Sequence, residues 1–147
     1  IIKKSITVVI GSVSGAPLQV LKDIAAESES ECIQSSDLLY RGYASEFELH
    51  RMDLKSSVQV LNIATVCAAL NCLSPDYLNL VLENKEIIYN TARNTSFRGR
   101  WEVLSQKPYV ICDIGHNEQA LEVSMKQLEE LSKGRRLIMM PCGDRCQ

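Results

Sequence analysis

Long apolar runs and long runs of one charge are both absent from this sequence. No stretch approaches the roughly 20 apolar residues that a transmembrane helix needs, and the first ten residues lack the apolar core and cleavage site of a signal peptide. Sixteen basic residues against eighteen acidic ones give a formal net charge of −2. We therefore expect a cytoplasmic protein whose partners include no membrane and no nucleic acid.

Cys-x-x-Cys pairs are also absent, although the chain has six cysteines. Three of the six lie within apolar runs, as small core residues do: Cys67, Cys72 and Cys112. A zinc site at Cys142 and Cys146 is the alternative, but neither histidine of the chain lies at finger spacing from them. We expect six free thiols and no metal ligands in this chain.

An initiator methionine is missing, and the chain leads almost at once into the β-branched run Ile6–Ile10. Near the other end, residues 136–140 have the composition of a buried strand, only seven residues before the last one. A chain of 147 residues is long enough to bury a sizeable core. We interpret the sequence as an internal fragment of a longer protein, truncated at both ends.

The first third of the chain predicts two strands and a helix. Residues 6–10 and 31–34 are the strands, and a loop at 11–17 leads into the helix at 18–26, whose apolar residues share one face. Residues 47–54 alternate apolar and polar side chains, which predicts a half-exposed antiparallel strand at the edge of a sheet.

The middle of the chain predicts two helices. Residues 57–73 are apolar on nearly every side of a helix, which is typical of a fully buried one. Ser74 is a predicted N-cap and Pro75 a predicted first residue of the next helix, which should continue to about Tyr89. Residues 90–99 are a predicted linker.

The last third predicts a strand at 100–104, followed by a β-α-β unit. In that unit a strand at 108–113 and a parallel strand at 137–140 are joined by a helix at 118–132. Asn117 is expected to cap the helix, and Trp101 is expected to pack in the core. Parallel strands joined by a helix bind ligands beyond their carboxyl ends. Asp113 and His116 fall at such a position.

Two groups of residues are candidates for chemistry. In the segment Asp113-Ile-Gly-His-Asn117, the carboxylate could accept from a ribose hydroxyl and His116 could meet a phosphate. The alternative is that Asp113 binds loop amides while Asn117 caps the helix. Gln59 and Asn62 are three residues apart on one face of an apolar helix, where either an adenine edge or neighbouring backbone must satisfy their amides.

Several motifs of the chain together resemble one enzyme family. They are Ile1-Ile-Lys3 with Val8-Val-Ile-Gly11, Gln59-x-x-Asn62, Thr95-Ser-Phe-Arg-Gly-Arg-Trp-Glu-Val-Leu104, and Pro108-Tyr-Val-Ile-Cys-Asp-Ile-Gly-His-Asn117. Their order and separation resemble folylpolyglutamate synthases and dihydrofolate synthases, which belong to the Mur ligase superfamily. The resemblance implies an α/β fold, in which the end of a Mur-ligase-type central ATPase domain (1–94) precedes the start of a Rossmann-like C-terminal domain (95–147).

The resemblance also implies a reaction. In that family, ATP phosphorylates a carboxylate, and the amine of L-glutamate then displaces phosphate from the acyl phosphate. ATP and Mg²⁺ would be the cofactors, with the metal ligands mainly outside this chain. Folate or dihydropteroate and L-glutamate would be the substrates, and the full-length protein would be a cytoplasmic monomer.

The same resemblance implies roles for five residues. Asn62, with Gln59 beside it, would contact adenine. Arg100 would reach the phosphates from the linker, and Asp113 would hold the ribose or orient Arg100. His116 would lie beside the phosphates, so that Arg100 and His116 are the catalytic candidates. ATP would bind between the two domains, whose closure would assemble the site.

Two other functions stay open. The chain could be a non-catalytic α/β module with a weak nucleotide cleft or no ligand at all, or part of another Mur-type amide ligase. The phosphate loop and the family's modified lysine are not in this sequence. We therefore expect the chain alone neither to hydrolyse ATP nor to ligate glutamate.

Overall fold

A computed structural model describes residues 2–132, 134–135 and 137–139 of the chain. These residues form a mixed α/β structure with about 51% helix and 11% strand, so the expected α/β class is confirmed at this coarse level. The Mur-ligase and Rossmann assignments and the domain division after residue 94 stay predictions. The structure has two compact units, one ending at Ile114 and the other beginning at Gly115.

The first unit begins with a parallel strand pair joined by a helix. Strand β1 (Val8–Ile10) and strand β2 (Cys32–Gln34) pair with Val8 opposite Cys32, and helix α1 (Ala16–Glu27) connects them. All three predicted elements are confirmed. The first strand is shorter than predicted because the Ile6 N–H donates to the Lys3 carbonyl and closes a turn. The helix begins before its predicted start because proline is compatible with a first helical turn.

The predicted edge strand at 47–54 is wrong. Helix α2 (Leu38–Ser45) precedes this segment, and Leu49–Arg51 form a single 3₁₀ turn. Phe47 and Met52 are both buried in the same core although they are five residues apart. A strand would place residues five apart on opposite faces, so a turn is required to bring both into the core.

Helix α3 (Gln59–Leu73) is the centre of the first unit, and helices α2 and α4 (Pro75–Glu83) pack against it. The predicted helix is confirmed, but its burial on every side is wrong, since Leu73 is 74% exposed. Its buried residues recur at helical spacing: Gln59, Ile63, Ala64, Cys67 and Ala68. One face of α3 therefore forms the core, and the remaining apolar residues lie at the surface.

Ser74 caps helix α4 as predicted, because its Oγ accepts a hydrogen bond from the Asp76 N–H at 3.3 Å. The helix does not reach Tyr89, however. It ends at Glu83, and two short helices follow, α5 (Glu86–Tyr89) and α6 (Thr91–Thr95). Asn84 has non-helical dihedral angles, as fits a residue type whose side chain competes for backbone hydrogen bonds.

The first unit ends in an antiparallel hairpin of strands β3 (Glu102–Gln106) and β4 (Tyr109–Cys112), with an irregularity between Val103 and Ser105. Only two residues connect these strands, which suffices for antiparallel strands. The predicted buried strand at 108–113 is therefore partly wrong, because Tyr109 and Val110 are exposed.

The second unit contains helix α7 (Glu118–Leu131). Its predicted N-cap is confirmed, since Asn117 Oδ1 accepts a hydrogen bond from the Ala120 N–H at 2.8 Å. The predicted last strand is wrong for residues 137–139, which are not in a strand, and Leu137 is 86% exposed. Burial on a parallel sheet, which the apolar composition suggested, is not found for these three residues. Met140 lies outside the described residues.

Candidate functional site

A sharply bent turn connects α6 to β3. Three of its residues have positive φ angles, Ser96 at 55°, Gly99 at 72° and Trp101 at 51°. Only glycine adopts this conformation freely. A Cβ atom on Gly99 would also lie 2.7 Å from Cγ2 of Ile114, so a side chain has no space there. The turn thus depends on glycine at position 99 for two independent reasons.

Glu102 holds the first half of this turn. One carboxylate oxygen accepts from Arg98 Nε at 2.9 Å, and the other accepts from the Gly99 N–H, also at 2.9 Å. The hydrogen bond from Arg98 lowers the pKa of Glu102, and the Gly99 amide lowers it further. The same hydrogen bond to Glu102 raises the pKa of Arg98. Arg98 and Glu102 therefore form a charged pair that also fixes the backbone.

Asp113 holds the second half of the turn. Its Oδ2 accepts a hydrogen bond from the Trp101 N–H at 3.0 Å, and the next residue, Ile114, donates its N–H to the Gly99 carbonyl at 2.8 Å. The alternative in which Asp113 satisfies a loop amide is therefore the one found. Trp101 is 3% exposed and packs in the core, as predicted. The end of β4 is thus tied to the turn at two points.

Arg100 lies between these two anchored halves. Its side chain is exposed, and it forms no hydrogen bond or ion pair with any of the residues that the structure describes. The neighbouring Arg98 is paired with Glu102. Of the two arginines of the turn, Arg100 is therefore the one available to bind a ligand. An exposed guanidinium on a fixed backbone is suited to binding an anion by two parallel hydrogen bonds.

Gln59 and Asn62 bond to each other on helix α3. Asn62 Nδ2 donates to Gln59 Oε1 at 3.0 Å, and Gln59 is only 6% exposed, whereas Asn62 is exposed. The partner of each amide in this hydrogen bond is the other amide. It is neither of the two partners that the sequence suggested, an adenine edge and the neighbouring backbone. The sequence prediction did not include a bond between the two amides, although residues three apart on a helix are close enough to pair.

His116 and Asn117 belong to the second unit. His116 is exposed. Asn117 caps α7, which corresponds to the structural alternative for this residue.

The five predicted site residues thus fall into three places in the structure. Gln59 and Asn62 contact each other, Arg100 and Asp113 are linked through the Trp101 backbone, and His116 lies in the other unit. Sequence reasoning missed Arg98 and Glu102, which are opposite charges four residues apart in the motif Arg-Gly-Arg-Trp-Glu. That spacing is a usable signal for a pair.

A cavity of about 410 Å³ lies beside β1 in the first unit. Its lining is mostly apolar and includes Ile6, Val8, Val13 and Leu21. None of the predicted site residues lines it. The candidate site is therefore an exposed turn rather than this cavity.

The four described cysteines are free thiols. Cys67 is fully buried, as predicted, and burial, with a smaller contribution from Glu46, raises the pKa of its thiol to about 11. The predicted burial of Cys72 is wrong because it is exposed, and Cys112 is half-buried. The proposed zinc alternative involves residues outside the described part of the chain. Within that part, no three His, Cys, Asp or Glu residues are grouped to hold a metal ion.

Among the described residues, none of the helices combines the length and the apolar character required to span a bilayer.

Comparisons with protein family models, with curated proteins and with solved structures found no match. The resemblance to folylpolyglutamate synthases and dihydrofolate synthases rests on the sequence motifs given above alone.

Proposed function

We propose that the turn at residues 98–102 binds phosphate in an ATP-dependent ligase that adds L-glutamate to folate or dihydropteroate through an acyl phosphate. The chain would be a fragment of that enzyme and inactive alone. One observation carries the proposal. Arg100 is an exposed cation without a partner among the described residues, and hydrogen bonds to carboxylates fix the backbone on both sides of it.

Phosphoryl transfer depends mainly on positioning and charge stabilisation, because the protein performs little covalent chemistry itself. An arginine on a fixed backbone loses less conformational freedom when it binds than one on a mobile loop. The Gly99 N–H donates to Glu102 and the Trp101 N–H to Asp113, so Arg100 is fixed at the residue before it and at the residue after it. This arrangement fits a phosphate contact.

The remaining site residues fit the same proposal in different ways. Gln59 holds the amino group of Asn62, so that the amide of Asn62 has a fixed orientation on the surface of α3. In that orientation Asn62 would accept a hydrogen bond from the amino group of adenine through Oδ1. Asp113 would act as a support of the turn, and the proposed role of His116 beside the phosphates depends on its motif alone.

The experiment is a calorimetric titration of the chain with ATP, with and without Mg²⁺. We expect Arg100→Met to weaken ATP binding about tenfold or more, because hydrogen bonds to charged groups contribute about 1.5–3 kcal/mol. Arg41→Met is the matched control, since it removes an exposed arginine from α2 with the same change of charge. Its ATP affinity should stay within about twofold of the wild type, because a lone surface charge contributes little.

Equal losses in the two variants would mean that only net charge attracts ATP, and would contradict the proposal. Phosphate release by the chain alone should not exceed that of a heat-treated sample. Release well above that level would contradict the proposed inactivity of the fragment.

A second function, a non-catalytic α/β module, is favoured by one specific observation. Asn62 donates to Gln59, and Asp113 accepts from a backbone amide, so each of these side chains already has one internal partner. If Asn62→Leu and Asp113→Ala leave ATP affinity unchanged or unmeasurable, this second function is preferred. Another Mur-type amide ligase remains compatible with the same turn, since the resemblance gives no acceptor-selecting residue in this chain.

A further inference from the structure

Glu102 uses both of its carboxylate oxygens within the turn. One accepts from the Arg98 side chain and the other from the Gly99 N–H, each at 2.9 Å. These are the two residues immediately before Arg100. The carboxylate therefore fixes a side chain and a main-chain group on the same side of the proposed phosphate contact.

We infer that Glu102 is a positioning residue for Arg100. Glu102 holds the turn in the conformation that exposes Arg100, and it forms an ion pair with Arg98. The inference rests on the proposed function of Arg100. Glu102 need not touch the nucleotide, because its two oxygens are already hydrogen-bonded within the protein.

The local charges determine which arginine is available. Arg98 is paired with Glu102 although 73% of its side chain is accessible, whereas Arg100 has no partner among the residues that the structure describes. Without Glu102, Arg98 would be a second mobile cation two residues from Arg100. An anion could then be drawn to a disordered pair of guanidiniums instead of one fixed guanidinium.

The strain in the backbone explains why the turn needs such a support. Gly99 and Trp101 both have positive φ angles, and for Trp101 this conformation is unfavourable unless its surroundings impose it. Asp113 binds the Trp101 N–H, and Glu102 binds the Gly99 N–H. If Glu102 is removed, only the Asp113 side remains, and the backbone at Arg100 gains freedom.

The test is a double-mutant cycle of ATP affinity on the full 147-residue chain. Glu102→Ala should weaken ATP binding about tenfold, and Glu102→Gln about threefold, since glutamine keeps an acceptor for the Gly99 N–H. In the Arg100→Met background, Glu102→Ala should change ATP affinity by less than about twofold, because Glu102 acts through Arg100. Glu29→Ala is the control, since it removes an exposed ion pair with Lys4 outside the turn.

Amide hydrogen exchange without ATP gives a second reading. Exchange at Gly99 should accelerate in Glu102→Ala and remain slow in Glu102→Gln, while the Trp101 amide stays protected by Asp113 in both. If Glu102→Ala does not fold, the same double-mutant cycle of ATP affinity is measured with Glu102→Gln and Arg100→Met.

Each result has a definite meaning. Two outcomes overturn the inference and leave the proposed function standing. In the first, Glu102→Ala weakens ATP binding as much in the Arg100→Met background as in the wild type. In the second, Arg100→Met weakens ATP binding but neither Glu102 variant does. If the wild-type chain binds no ATP, or binds it no more tightly than Arg100→Met does, both the proposed function and the inference are overturned. A loss that disappears in the Arg100→Met background supports both.

Discussion

The carboxylate of Asp53 accepts a hydrogen bond from the backbone N–H of Arg93 at 2.8 Å, although the two residues are 40 positions apart. Its other oxygen accepts from the Ala92 N–H at 3.0 Å, so one side chain caps the N-terminus of α6. The Asp53 N–H in turn donates to the Tyr89 carbonyl. The chain that leads to the Arg100 turn is thereby fixed to the body of the first unit.

Asp53→Ala is expected to lower the free energy of unfolding by about 1–2 kcal/mol, because two N–H groups of α6 lose their acceptor. Urea unfolding followed by circular dichroism measures the change. Asp37→Ala is the matched control, since Asp37 stands at the N-cap of α2 but its side chain makes no capping hydrogen bond. Equal destabilisation by both changes would contradict a specific cap at Asp53.

Two glycines should respond oppositely to alanine. Gly99→Ala is expected to destabilise the chain by about 2 kcal/mol, because the φ angle is +72° and the new Cβ would lie 2.7 Å from Ile114. Gly42→Ala should stabilise it by about 0.5–1 kcal/mol, since Gly42 lies inside α2 and a Cβ there meets nothing within 4 Å. Thermal and urea unfolding of both variants measure these effects. Changes of the same sign would be inconsistent with the described turn.

The ionisation of Glu102 provides a prediction about pH. Because the hydrogen bond from Arg98 lowers the pKa of Glu102, the stabilisation from this pair is present above the ordinary glutamate pKa. It is lost as the pH falls through the lowered pKa. Carbon NMR of the Glu102 carboxyl group should show a midpoint that moves to higher pH in Arg98→Met. An unchanged midpoint would mean that the pair does not persist in solution.

The buried thiol of Cys67 should be protected from alkylation in the folded chain. With a pKa of about 11, only about one in a thousand of these thiols is ionised at pH 8, and the side chain is 0% exposed. Mass spectrometry after brief iodoacetamide treatment at pH 8 should find Cys72 labelled and Cys67 unlabelled. Urea should remove the difference. Equal labelling in the absence of urea would contradict the packing of α3.

The raised pKa of Cys67 also sets a direction for stability at high pH. Between about pH 9 and pH 11 the unfolded thiol is ionised while the folded one retains its proton, so stability should fall as the pH rises through this window. Cys67→Ala should show a shallower decline over the same window in urea unfolding. A decline of identical slope would mean that this thiol does not titrate as described.

The sequence predicted best those elements whose signals are local and have a physical mechanism. Ser74 and Asn117 were both recognised as N-caps, and both side chains accept the expected backbone hydrogen bonds. The β-branched run that contains β1 and the apolar pattern of α3 were sufficient to place those elements. These signals depend only on neighbouring residues, so they survive whatever the rest of the fold does.

The elements that were missed depend on contacts between distant residues. Phe47 and Met52 enter the same core, which overrides the alternation that predicted a strand. The helix that should have continued to Tyr89 breaks at Asn84, and the segment after the break is bound by Asp53. Neither effect can be derived from local periodicity.

The sequence indicated candidate site residues but not the geometry of the turn in which two of them lie. Arg100 and Asp113 were identified from a motif, but the positive φ angle of Trp101 has no sequence signal, since tryptophan rarely adopts it. The bond from Glu102 to the Gly99 N–H has no sequence signal, because every non-proline residue carries a main-chain N–H.

Trp101 is the single tryptophan of the chain, it is 3% exposed, and its backbone N–H donates a hydrogen bond to Asp113 directly beside Arg100. The indole is therefore a built-in fluorophore at the turn. Its emission should shift to longer wavelength whenever the turn opens to water. Opening of the turn can thus be followed through intrinsic fluorescence, without attaching a dye.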